Sequence, residues 1–306
     1  MLREFAPMNA AELFDRAVDV YKKSFWKQMV FAAIVSLISF AAMMFAGVFL
    51  AMGLNFAASA LFVGTEFVVF PVVIVLVLVP FFLLWQSFSN AGHVLLAKQA
   101  FYGHKVKVPH YELPFVALRV LTVLLAQTLL ILPFVVFLFL IAYLLIPFWE
   151  RLLFMPMTAF PVGSLVVFVL LIFVGFFAFT NVFAVAVAVA IFEKIFFFSA
   201  IRRAWELIKG EFWKILGVRI MWYLVILAVS SAIQGVFLLA NELWFVFSGT
   251  VRAGFPMYGP GVLFGVLAAV APIFTSLAVA PMDGILQTVI YFNQRIKKGE
   301  NLQVGV

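Results

Sequence analysis

Residues Phe67–Phe88 read FVVFPVVIVLVLVPFFLLWQSF and carry no charge. A helix rises about 1.5 Å per residue, so about 20 such residues cross about 30 Å of hydrocarbon. A barrel strand would instead show about ten residues of strict alternation. This run is apolar on every side, so it reads as a membrane helix. Outward from it, five further runs have the same character: Met29–Leu54, Leu121–Ile146, Ser164–Phe192, Ile215–Ala240 and Val262–Met282. The expected fold is an all-α integral membrane bundle of six transmembrane helices, residues 1–306 forming a single membrane domain. Pro71, Pro80, Pro133 and Pro272 fall inside spans. Each removes a backbone donor and favours a bend, which membrane helices tolerate.

Composition agrees with this reading. The chain is 67% hydrophobic and 11% charged, with mean hydropathy +1.21. A soluble domain is about half apolar and about a quarter charged, and could not hide this much apolar surface. The absence of cysteine excludes disulfides, thiolate metal sites and cysteine nucleophiles. The net charge of +7 fits anionic lipid headgroups rather than nucleic acid. A long, partly acidic segment precedes the first apolar run, and that run is too long for a signal-peptide core. We therefore expect no cleaved signal at Ala58-Ser59-Ala60.

Loop charges give the orientation. Of the 20 Lys and Arg, all but Arg151 and Arg252 fall on one side of the expected membrane. The positive side is normally cytoplasmic, which puts both termini in the cytoplasm and the protein in the cytoplasmic (inner) membrane. Trp149, Trp244 and Tyr258 on the other side suit a headgroup belt.

Two segments match each other. Arg16–Met29 reads RAVDVYKKSFWKQM and Arg203–Leu216 reads RAWELIKGEFWKIL, with Asp19 facing Glu206. Each precedes a span, which suggests duplicated units. His110–Arg119 leads into a span too, but shares little beyond apolar spacing. The reading is three repeat units, 9–98, 109–194 and 199–298, each an interfacial helix plus two spans. The bundle thus gains two or three cytoplasmic interfacial amphipathic helices. Asn9 and Glu12 fit a capping box. Leu13, Phe14, Ala17, Tyr21 and Phe25 share one helical face, and Glu12–Arg16 and Asp19–Lys23 are i,i+4 pairs. Such a leader is expected to lie flat on the membrane, apolar face down. Its basic residues, Arg16, Lys22 and Lys27, with Arg202, Arg203, Lys209 and Lys214 of the second copy, are the candidate contacts to lipid headgroups. The competing reading is that they only fix topology and depth.

Three stretches, PMNAAELFDRAVDVYKKSFWKQM from Pro7, AIRRAWELIKGEFWKILG from Ala200 and VIYFNQRIKKGENL from Val289, resemble the bacterial membrane-domain family named for glycerophosphoryl diester phosphodiesterases. The resemblance spans nearly the whole chain. It implies a membrane module, which in some relatives is fused to a catalytic barrel. No such barrel is expected here, because the chain ends soon after the sixth span. Asn293 stands where that family often has Asp.

Reactive constellations are missing from the sequence. His93, His104 and His110 have no carboxylate or histidine at helical spacing on a span, so neither metal nor cofactor is expected. Phosphate-loop, dinucleotide, zinc-protease and nucleophile-elbow motifs are all absent. Gly261 and Gly265 form a GxxxG pair that suits close helix packing. Asp283 directly follows the sixth span. It is read either as an intramembrane carboxylate on an ion or substrate path or as an interfacial ion-pair partner of a basic leader. Asn181 with Thr180, Gln127 with Thr128, and Ser230, Ser231 and Gln234 suit interhelical hydrogen bonds. The leading expectation is a non-catalytic accessory module that organises membrane lipids, anionic ones included, or a membrane protein partner at the cytoplasmic face. A transporter or permease component is the alternative. A lipid-modifying enzyme is the third, and it would need His93, His104, His110, Glu112 and Asp283 to converge.

Overall fold

The computed structural model describes residues 6–60, 66–108, 110–153, 184–247 and 260–300. Among the described residues every regular element is a helix. In chain order these are α1 (Ala10–Ala60), α2 (Glu66–Phe101), α3 (Leu113–Leu153), α4 (Ala184–Phe192), α5 (Phe197–Ile208), α6 (Phe212–Phe247) and α7 (Pro260–Lys297).

Three of them contain stretches long and apolar enough to cross a membrane: Ala10–Ala42, Leu113–Pro133 and Phe212–Ala240. A fourth follows if α4 and α5, bent by 110°, count as one broken span. Six were expected. The expected second and sixth spans, Phe67–Phe88 and Val262–Met282, fall within α2 and α7. Most of the expected fourth span, with Thr180 and Asn181, lies outside the described residues, as do Arg252 and Tyr258. Helices α2, α3 and α7 run on through their prolines.

The capping box forms as read. Asn9 N–H donates to the Glu12 carboxylate (2.8 Å) and Glu12 N–H to the Asn9 side-chain oxygen (2.9 Å). From there α1 runs for 51 residues, about 76 Å at 1.5 Å per residue. This corrects the expectation of a separate first leader lying on the membrane. No glycine or proline interrupts the chain between Ala10 and Ala46, so nothing stops the helix before the span begins. The leader's apolar face packs on protein instead of lipid. Leu13, Ala17 and Val20 are buried, and Phe14 meets Trp222 of α6 at 5.6 Å. The His110–Arg119 segment likewise runs into α3, which starts at Leu113 with Pro114 in its first turn, where the missing N–H costs nothing.

The second leader does break. Gly210 sits at φ +98°, a left-handed conformation that glycine adopts without Cβ strain. α5 therefore ends at Ile208 and α6 restarts at Phe212. Where Gly210 stands, the first leader has Lys23, in unbroken helix. Burial nonetheless matches along the two copies. Ala17 and Ala204 are both 0% exposed, as are Val20 and Leu207, while Trp26 is 73% and Trp213 74% exposed.

Among the described residues burial concentrates at one end of the bundle. The core is drawn from the first half of α1, the last turns of α2, the start of α3, α4, α5, the start of α6 and the last turns of α7. Phe101 stacks on Phe292 at 4.8 Å, and Phe192 meets both Tyr291 and Phe292 at 5.0 Å. Beyond this packed end the helices present bare apolar faces, including Leu37, Phe40, Leu227 and Leu239. Water would penalise such faces at about 25 cal/mol per Å², whereas hydrocarbon does not.

Candidate functional site

The polar groups of the packed end hang on the last turns of α7, which touch α1, α2, α5 and α6. The outermost of them toward the apolar helices is Asp283. One carboxylate oxygen accepts from Tyr223 Oη (2.9 Å) and from the Arg219 guanidinium (3.4 Å), and the other accepts from Gln287 Nε2. Arg219 also donates to Tyr223 Oη at 2.9 Å. The Arg219 side chain is only 5% exposed and that of Asp283 35%. Asp283 thus sits in an ion pair, but its partner belongs to α6 and not to either leader. Arg219 and Tyr223 were missed by the sequence reading. The available signal was a lone arginine four residues into one apolar run and a lone aspartate one residue past the next.

One residue on, α7 comes within van der Waals reach of α2. A Cβ built on Gly284 would stand 2.8 Å from His93 Cβ, so glycine permits this approach. His93 is buried. Its Nδ1 lies 2.6 Å from Gln28 Oε1, and Gln28 Nε2 reaches the His93 carbonyl oxygen at 3.4 Å. Phe31 meets the imidazole edge-on at 5.3 Å. The histidine with no acidic neighbour in sequence is thus a core residue held by an amide from α1.

Farther along α7, Asn293 clamps the chain's start. Its Oδ1 accepts from Met8 N–H (2.8 Å) and its Nδ2 donates to the Met8 carbonyl (3.3 Å). Both contacts use the amide, and a carboxylate could not make the second. Beside it Arg203 of α5 donates to Glu193 (3.0 Å) and Glu300 (2.6 Å), and Arg295 donates to Glu300 (3.0 Å). Glu211, in the Gly210 turn, accepts from Lys297 (2.7 Å) and Gln294 (3.0 Å). Burial pushes the Glu300 carboxyl up, but hydrogen bonds and charges from Arg203 and Arg295 outweigh this and hold it below the usual carboxylate range. Glu211 is held low in the same way, burial opposing and Lys297 and Gln294 prevailing. These pairs tie α4, α5, the Gly210 turn and the C-terminal residues together.

The candidate headgroup residues divide into two sets. Arg16 donates to the Phe101 carbonyl (2.8 Å), lies 3.5 Å from Asp19 and sits 4.9 Å over the Phe101 ring. Arg203 is engaged as above. Both serve the interior. Lys22, Lys27, Lys209, Lys214 and Arg202 are exposed, Arg202 lying 3.3 Å from Glu206. Thr128 bonds the Leu124 carbonyl of its own helix, while Ser231 and Gln234 are on exposed faces of α6.

No protein-family model, curated protein or solved structure matches this chain. Its chemistry is therefore read from geometry. Three of the five groups an enzyme would need to bring together sit with other company. His93 is on Gln28, Asp283 on Arg219 and Tyr223, and His110 against Tyr111 and the Val108 carbonyl. Among the described residues no three His, Asp or Glu groups could hold one metal ion.

Proposed function

We propose that this protein is a non-catalytic membrane module of six spans with cytoplasmic termini, which organises anionic lipid at the cytoplasmic face through its two leaders. The observation that carries this reading is the matched pair Trp26–Lys27 and Trp213–Lys214. Both tryptophans are about three-quarters exposed, 73% and 74%, and both lysines are exposed. Each pair stands where the packed, charged end gives way to bare apolar helix. Tryptophan favours the headgroup level, and lysine there attracts anionic lipid at about 1 kcal/mol each. The matched burial of the two leaders supports the repeat, and the resemblance to the phosphodiesterase-associated membrane domain supports the module reading.

The test is anionic lipid retained by the reconstituted protein after extraction from mixed phosphatidylcholine and phosphatidylglycerol bilayers. Lys209→Gln with Lys214→Gln should lower the enrichment of phosphatidylglycerol about 30-fold at most, from about 2 kcal/mol. Unchanged enrichment removes lipid organisation from the reading. The Asp283–Arg219–Tyr223 cluster favours a second reading, a transporter component. On that reading Asp283→Asn lowers solute flux in proteoliposomes by more than it lowers the amount of folded protein.

A further inference from the structure

The leaders differ in one further respect. The first borders an open cleft of about 750 Å³, within the range of small-ligand sites. Lys23 and Lys27, one turn apart on α1, form one wall, and His104, Lys105 and Lys107 of the α2–α3 loop form the other. Ala100 and Val106 line it between them, and no carboxylate is among its lining residues. Asp19, outside the cleft, shares one of these charges by bonding Lys23 at 2.7 Å. Among the described residues no ion pair engages Lys27, Lys105 or Lys107.

The loop is held in place, not loosely draped. Gln99 accepts His104 N–H on its carbonyl (2.9 Å) and Lys107 N–H on its side-chain oxygen (2.6 Å). Gly103, at φ +74°, turns the chain back toward α1. A lysine cluster after a helix often serves the unpaired carbonyls of the last turn. Here those carbonyls are engaged by other groups. Lys98 O accepts from Tyr102 N–H, Gln99 O from His104 N–H, Ala100 O from Gly103 N–H and Phe101 O from Arg16. The loop lysines are thus not needed for the helix end, and a cleft lined by one sign of charge focuses attraction for the other.

We propose that this cleft binds the phosphate-bearing headgroup of an anionic lipid, preferring a phosphomonoester to a phosphodiester. This rests on the reading that the leaders lie at the headgroup level. Trp26, beside Lys27, sets the depth, and Ala100 and Val106 give the glycerol end an apolar seat. Three ammonium groups with no carboxylate partner suit a phosphomonoester, which carries about −1.5 to −2 at neutral pH, better than a singly charged diester.

The experiment reconstitutes the full chain in phosphatidylcholine nanodiscs containing either phosphatidic acid or phosphatidylglycerol. Native mass spectrometry then reads the lipid retained per protein. Wild type should retain phosphatidic acid over phosphatidylglycerol. Lys105→Gln with Lys107→Gln, both exposed and leaving the backbone bond from Lys107 intact, should abolish that preference and lower phosphatidic acid retention about 30-fold, a factor of about five per lysine. Lys209→Gln with Lys214→Gln should lower both lipids alike and keep the preference. If the second pair removes the preference as fully as the first, the cleft is refuted while the leader reading stands. If neither pair changes retention, both fall. Inorganic phosphate at equimolar concentration should leave retention unchanged. Displacement of phosphatidic acid by it would overturn the lipid assignment in favour of a soluble phosphate.

Discussion

Replacing Gly284 by alanine adds one methyl group where α7 meets α2. That carbon would stand 2.8 Å from His93 Cβ, 3.4 Å from the His93 carbonyl carbon and 3.5 Å from Val94 N. Carbon atoms rest comfortably at about 3.5–4.0 Å. The obstacle is backbone and Cβ, which no rotamer change can move, so the two helices must part by about 1 Å. A gap of that size forfeits about a quarter to a half of each contact well it opens. The side chains beside it, Val94, Ile285 and Leu286, are fully buried, so none has slack to follow. Overpacking of this kind costs about 1–3 kcal/mol, and alanine's better helix propensity returns about 1 kcal/mol. The expected net effect is a loss of up to about 2 kcal/mol. Gly217→Ala is the matched control. Nothing lies within 4 Å of its added carbon, so propensity alone operates and the change should stabilise by up to about 1 kcal/mol. Reversible unfolding in mixed micelles, titrated with a denaturing detergent and followed by tryptophan fluorescence, measures both. His93→Ala should not rescue Gly284→Ala, because the obstructing atoms remain. Equal stability of the two alanine variants would refute the close approach of α2 and α7.

Two further outcomes follow from the charged clusters. Glu211 and Glu300 both have folded pKa values held below the ordinary carboxylate value. Their contribution to stability is therefore fully present above about pH 4.3 and is lost as pH falls through the lower folded values. Glu211→Gln with Glu300→Gln should flatten that acid loss, and an unaltered acid limb in the double variant would count against these pairs. Asp283→Asn removes the counter-charge of Arg219, whose side chain is 5% exposed. Breaking a buried pair costs about 3–5 kcal/mol, and the partial exposure of Asp283 puts the expectation at the lower end. Asp283→Leu with Arg219→Met should recover most of the loss, and an Asp283→Asn variant as stable as wild type would show that the pair does not operate.

The sequence by itself determined what each segment is in its own surroundings. Composition and run length make the chain helical and apolar enough for a membrane. The capping box at Asn9 and Glu12 is local and forms as read. The apolar spacing of the leader identifies which face is buried, because helical periodicity records burial whatever covers it. It cannot say whether lipid or protein does the covering, and here the cover is α2, α6 and α7. Continuity of α1 against the break at Gly210 was also in the residues, since only the second copy carries a glycine there.

Only the tertiary structure decided partners. Asn293 finds Met8 from 285 residues away, Arg203 finds Glu300 from 97, Gln28 finds His93 from 65, and Arg219 finds Asp283 from 64. No spacing rule reaches that far, because helical periodicity governs neighbours three and four residues apart. The same limit hid the cleft. Lys23 and Lys27 are one turn apart on α1, but Lys105 and Lys107 join them because Arg16 ties the end of α2 to α1 and Gln99 holds the following loop on that end. A charge's role is set by what the fold brings opposite it, and that is a property of packing between distant segments.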